Sequence, residues 1–120
     1  MANINNSLTT AMSITGALAV AVVDLESGMT LGQAGGNIMN MEIAAAGNTE
    51  VVRAKMRTMA DLDLNDEIDD ILITLGKQYH IIRPSTVKEG VFIYFVLDKA
   101  RANLAMARRK TADVDAQLSF

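Results

Sequence analysis

Cysteine and tryptophan are both absent from this 120-residue sequence, and proline and histidine occur once each. Without cysteine there are no disulfides, no thiol nucleophile and no thiolate metal site. Aromatic residues are only 4% of the chain although hydrophobic residues are 50%, so the core must be built from Ala, Val, Ile, Leu and the 8 Met residues. No Lys or Arg precedes Arg53, so the basic n-region of a secretory signal is missing. The longest unbroken apolar run, ALAVAVV at 17–23, is far short of the roughly 20 residues that span a bilayer. Basic charge is also scarce. The formal net charge is −3 and the pI near 5.0, which argues against a general nucleic-acid binder. A cytoplasmic protein without a transmembrane segment is the expectation.

The length suits one domain over residues 1–120, and no linker, repeat or low-complexity tract divides it. Ile4, Leu8, Ala11 and Met12 have the spacing of a short amphipathic helix. ALAVAVVD (17–24) reads as a strand buried on both faces, LESGM (25–29) as a hairpin turn with Gly28 at positive φ, and MTLGQ (29–33) as the returning strand. Gly32, Gly35 and Gly36 are expected to open a loop. A long helix follows from about Met41 to Leu62, with Asn40 as N-cap and Glu42 in the first turn. EIDDILITL (67–75), QYHIIRP (78–84) and VFIYFVLD (91–98) are the next strands, the first two joined by a turn at Gly76-Lys77. Asp98 is expected to cap a final helix whose face is Ala100, Leu104, Ala107, Thr111, Val114 and Leu118. The fold class is therefore α+β in the order α-β-β-α-β-β-β-α, a mostly antiparallel sheet between helices.

The long helix contains an oddity. AAAGNTEVVRAK (44–55) puts a glycine at its centre, where it costs about 1 kcal/mol relative to alanine. Wound at about 100° per residue, Met41, Ala45, Val52, Met56 and Met59 fall within a sector of about 60°, the natural sheet-facing stripe. A second apolar group, Ile43, Ala44, Gly47, Val51, Ala54 and Leu62, occupies a different sector. Asn48 and Lys55 part the two on one side; Glu42, Glu50, Arg53 and Arg57 part them on the other. One apolar face suffices for a helix lying on a sheet. The small residues of the second let helix axes approach closely, so it is read either as covered by another part of the chain or as a self-complementary contact with a second copy. An edge position for EIDDILITL would add an unpaired backbone to the same problem.

These blocks resemble the Roadblock/dynein-light-chain superfamily, in particular its small bacterial stand-alone members. The resemblance spans nearly the whole chain: ALAVAVVDLESGMTLG, EIAAAGNTEVVRAKMRTM, EIDDILITLGKQYHIIRP and VFIYFVLDKARANLAMARRK. It implies a five-stranded antiparallel sheet with the central helix on one face and the terminal helices on the other. It also implies a homodimer formed through the central helix, with Ile43, Ala44, Gly47, Val51 and Ala54 in the seam and Ile68, Asp70 and Leu72 along a paired strand. The implied role is non-catalytic, scaffolding or regulating a small Ras-like GTPase, sometimes with a sensor kinase. By analogy Glu42, Thr49, Glu50, Arg53 and Arg57 form the partner-docking strip. A small-ligand sensor domain is the alternative, because sheets between helices often host pockets.

No catalytic, cofactor or metal site is expected. Asp61, Asp63 and Asn65 imitate the start of a calcium loop, but Asp66 stands where glycine is needed and Leu72 where a glutamate is needed. GQAGG lacks the Lys-Ser/Thr of a phosphate loop. His80 has no second histidine to share a metal and no evident catalytic partner, and Ser27 and Ser85 sit in no nucleophile elbow. Arg101, Arg108, Arg109 and Lys110 make a basic strip on the last helix, read as solvated, with anionic lipid or an acidic partner as the other reading.

Overall fold

The computed structural model describes residues 3–120; Met1 and Ala2 of the expected 1–120 domain lie outside the described residues. The elements are α1 (Ile4–Met12), β1 (Ala17–Asp24), β2 (Thr30–Ala34), a short 3-10 turn (Gly36–Ile38), α2 (Met41–Asp61), β3 (Ile71–Thr74), β4 (Gln78–Pro84), β5 (Val91–Asp98) and α3 (Leu104–Ala116). The strands form one antiparallel sheet in the order β2-β1-β5-β4-β3. Its α+β order is the one the sequence implies.

The central strands lack period-two alternation because both their faces are covered. In β5 every residue from Val91 to Leu97 is buried, and β1 is buried from Ala19 to Val23. Val20, Val22, Ile93, Phe95 and Leu97 form one core with α1 and α3, against Leu8, Ala11, Ala107, Val114 and Leu118. Ala19, Ala21, Val23, Phe92, Tyr94 and Val96 form the other, against Met41, Ala45 and Val52 of α2. Three aromatic rings supplied by one strand thus fill the largest volumes on both faces. Truncating Phe92 or Phe95 to alanine would cost about 3–5 kcal/mol.

Four expectations are corrected. Gly32 belongs to β2, where a Cβ would come within 2.7 Å of Ile4 Cγ2 and 3.1 Å of Leu8 Cδ1, so it admits α1 close to the sheet. The strand expected at 67–75 is only Ile71–Thr74; residues 64–70 carry no regular structure and pair with no strand. Asp98 caps no helix. Its Oδ1 accepts from the Ala100 N–H in an isolated turn, and Asn103 is the cap of α3, accepting from Met106 N–H at 3.0 Å. Ala100 therefore falls outside that helix. Finally, Met56 is 48% exposed and Met59 only half-buried, because beyond Val52 this side of α2 borders an open cleft and not the sheet core.

The acidic stretch after α2 is a helix stop. Asp63 takes φ +55°, its N–H donates to Ala60 O at 3.1 Å, and Leu64 N–H donates to Met59 O at 2.9 Å. This pair of bonds is the Schellman pattern, here with aspartate in the left-handed position usually given to glycine.

Candidate interaction surface

α2 starts where Asn40 Oδ1 accepts from the Glu42 and Ile43 N–H groups, at 3.0 and 3.1 Å. From there it lies over β1 and β2, at one side of its sheet face. Toward β4 and β3 the cover thins: Ile82 is fully buried, but Ile71, Ile73 and His80 are only half-buried. A trough remains between these strands and the outer side of α2.

The second apolar stripe of α2 forms the helix wall of this trough. Ile43 is 70% exposed, Gly47 and Ala54 are exposed, and a Cβ built on Gly47 meets nothing within 4 Å. Ala44 and Val51 are half-buried against the sheet core. Within the described chain the stripe is thus covered at Ala44 and Val51 and left open at Ile43, Gly47 and Ala54. β3 is the sheet's last strand and its outer edge is unpaired. Of the residues assigned to a paired strand, Leu72 lies in β3 with its side chain against the α1/α3 core. Asp70 lies just before it and is held bidentately by Arg108 of α3, with both bonds at 2.8 Å. Ile68 lies outside the strand and lines a cleft beneath the end of α2.

The polar strip divides in the same way. Glu42, Glu50 and Arg57 are exposed. Thr49 is not: it is 1% exposed, packed beside Gly28 of the β1–β2 turn, with Oγ1 donating to Ala45 O at 2.8 Å. It cannot meet a partner and is removed from the docking set. Arg53 reaches back to the same turn, donating to the carbonyls of Leu25 (2.7 Å) and Glu26 while pairing with Glu50 at 3.2 Å. Sequence periodicity placed both residues on the correct side of α2 but could not reveal that the hairpin turn rises to meet them.

Two polar features escaped sequence reasoning. The Asp115 carboxylate is fully buried and accepts from Ser85 Oγ (2.6 Å), Thr86 N–H (2.9 Å) and Thr86 Oγ1 (2.8 Å), with Arg83 Nε at 3.5 Å. It ties the β4–β5 loop to α3. His80 pairs with Tyr94 and Gln78 in the floor of the trough, and burial lowers its pKa from 6.5. Neither constellation offers a nucleophile with a base. Among the described residues no group of three or more His, Asp or Glu side chains converges to hold a metal, and no helix is long and apolar enough to cross a membrane.

A five-stranded antiparallel sheet with one helix on one face and two on the other, in the order α-β-β-α-β-β-β-α, is a Roadblock-like fold. Among solved structures, the chain superposes on a Roadblock/LC7 domain from Streptomyces avermitilis with a TM-score of 0.82 at 8% identity, over 96% of this chain and 93% of that one. It matches Myxococcus xanthus MglB at 0.73 and 16% identity, covering 94% of each chain. The gliding protein MglB of Thermus thermophilus matches at 0.70 and 15% identity, over 93% and 87%. No family model and no curated protein sequence matches the chain. At these identities the likeness is one of fold.

Proposed function

We propose that the chain is a single-domain, non-catalytic module over residues 1–120. It forms a homodimer and, in the cytoplasm, binds and regulates or scaffolds a small Ras-like GTPase. The observation that carries the dimer is the thinning cover over β3. A second α2 laid in the trough would cover Ile43, Gly47 and Ala54 together with Ile71 and Ile73, and bring two free β3 edges together. Gly47, with open space above it, is where the two helix axes would come closest. The GTPase follows from the resemblance in sequence blocks and is supported by the likeness of fold. Glu42, Glu50 and Arg57 of both copies form its docking strip, with Arg53 bracing the neighbouring turn. A sensor kinase is a further partner the resemblance implies.

Light scattering at micromolar concentration tests the first half: a mass of twice 12.9 kDa is expected, and a monomer would overturn it. A pull-down with the Ras-like GTPase of the same genome, loaded with GDP or a GTP analogue, tests the second. Retention that depends on the nucleotide is expected; failure in both states removes the GTPase reading and leaves the dimer standing.

A further inference from the structure

Beneath the C-terminal half of α2 lies a cleft of about 560 Å³, within the size range of ligand sites. The strap that joins α2 to β3 forms part of its wall, through Leu64, Asp66, Glu67, Ile68 and Asp69. Its lining is largely apolar, from Val52 and Phe92 in the floor to Met56, Met59, Leu64 and Ile68 around the mouth. Met56 is 48% and Leu64 51% exposed, although both line the cleft. The two methionines make an adaptable wall of the kind that accepts varied apolar side chains.

Two further observations say what would fill it. The first is the strap itself. From Asn65 to Asp70 the main chain belongs to no helix, strand or turn and makes no main-chain hydrogen bond. Glu67 N–H turns back to its neighbour Asp66, and the Asp69 carbonyl is approached by Arg83 at 3.5 Å. The remaining donors and acceptors are open to a strand laid alongside. The second is charge. Asp66, Glu67, Asp69 and Glu89 line the cleft against a single cation, Arg83, whose Nε is turned toward Asp115.

We propose that this cleft docks an extended segment of a partner protein in which apolar and basic side chains alternate. Successive side chains of a strand point to opposite sides, so the apolar set enters the cleft while Lys or Arg side chains meet the acidic rim. The segment's main chain pairs with residues 65–70. The site lies within one chain and depends on neither the dimer nor the GTPase.

Binding of a fluorescein-labelled decapeptide of alternating Val and Lys to the full chain, followed by anisotropy, tests this. Saturable binding is expected, with a twin peptide carrying Glu for Lys failing to bind. Met56→Lys and Glu67→Lys should each weaken binding about tenfold or more, whereas Asp113→Lys on the far side of the sheet should change it less than about twofold. Both cleft positions are exposed, and a thermal melt confirms that the variants fold. No saturable binding, equal binding of the Glu twin, or an equal loss in Asp113→Lys would overturn the proposal. So would a fall in particle mass in Met56→Lys with peptide binding intact, which would make the occupant a second copy.

Discussion

Tyr94 and His80 meet edge to face under α2, ring centroids 5.5 Å apart at 76°, with the tyrosine hydroxyl 2.9 Å from His80 Nδ1. With Nε2–H donating to Gln78 Oε1 at 2.8 Å, the neutral ring leaves Nδ1 as an acceptor facing the Tyr94 hydroxyl. Burial disfavours the charged imidazolium and lowers the His80 pKa below 6.5. A histidine depressed in this way contributes stability that is fully present above the unfolded value of 6.5 and is lost as pH falls through the folded one. Urea unfolding should show the native chain weakening below pH 6.5. His80→Gln should flatten that part of the profile, and an unchanged profile would contradict the assignment. Asp24 acts in a lower window. The Ser27 hydroxyl at 2.7 Å lowers its pKa, so that contribution is lost only below 3.8.

Arg53 and Arg57 should separate by assay. Arg53 holds two carbonyls of the β1–β2 turn with a side chain 41% exposed, so Arg53→Ala should cost about 1 kcal/mol in urea unfolding. Arg57 is exposed with no hydrogen bond or ion pair among the described residues, so Arg57→Ala should leave stability within about 0.5 kcal/mol. Its effect should appear only in GTPase retention.

Gly47 and Gly32 make a contrasting pair. Nothing lies within 4 Å of a Cβ at Gly47, so Gly47→Glu fits the single chain and should yield a folded monomer by light scattering. A stable dimer would place the seam elsewhere. At Gly32 a Cβ presses on Ile4 and Leu8, so Gly32→Ala should lower stability by about 1–3 kcal/mol with the oligomeric state unchanged.

Asp115→Ala should cost about 3 kcal/mol or more, since it strips the buried acceptor from Ser85, Thr86 and Arg83 at once. Limited proteolysis should then cut the β4–β5 loop first. Equal protection in native and variant chains would mean that the loop is held by other contacts.

Element order, the buried character of β1 and β5, the Asn40 cap and the two-faced α2 were all legible in the sequence, because each is a matter of local spacing. Other features were not legible. Thr49 is polar and sits on a polar strip, yet it is buried because a hairpin remote in sequence folds over it. Asp98 looked like the better helix cap, but Asp98 N–H donates to Gly16 O and commits that corner to the sheet, leaving the start of α3 to Asn103. Nothing in local spacing singles out Asp115; tertiary packing brings Ser85 and Thr86 to it from about thirty residues away.

The sequence by itself determined which segments are helix or strand and that α2 carries more apolar surface than one sheet requires. Periodicity is a property of neighbours along the chain. Only the tertiary structure decided how much of that surface stays open, for exposure depends on where remote segments end. α2 buries β1, β5 and Ile82 of β4 but leaves Ile71 and Ile73 of β3 half-exposed, and residues 64–70 reach the sheet without pairing.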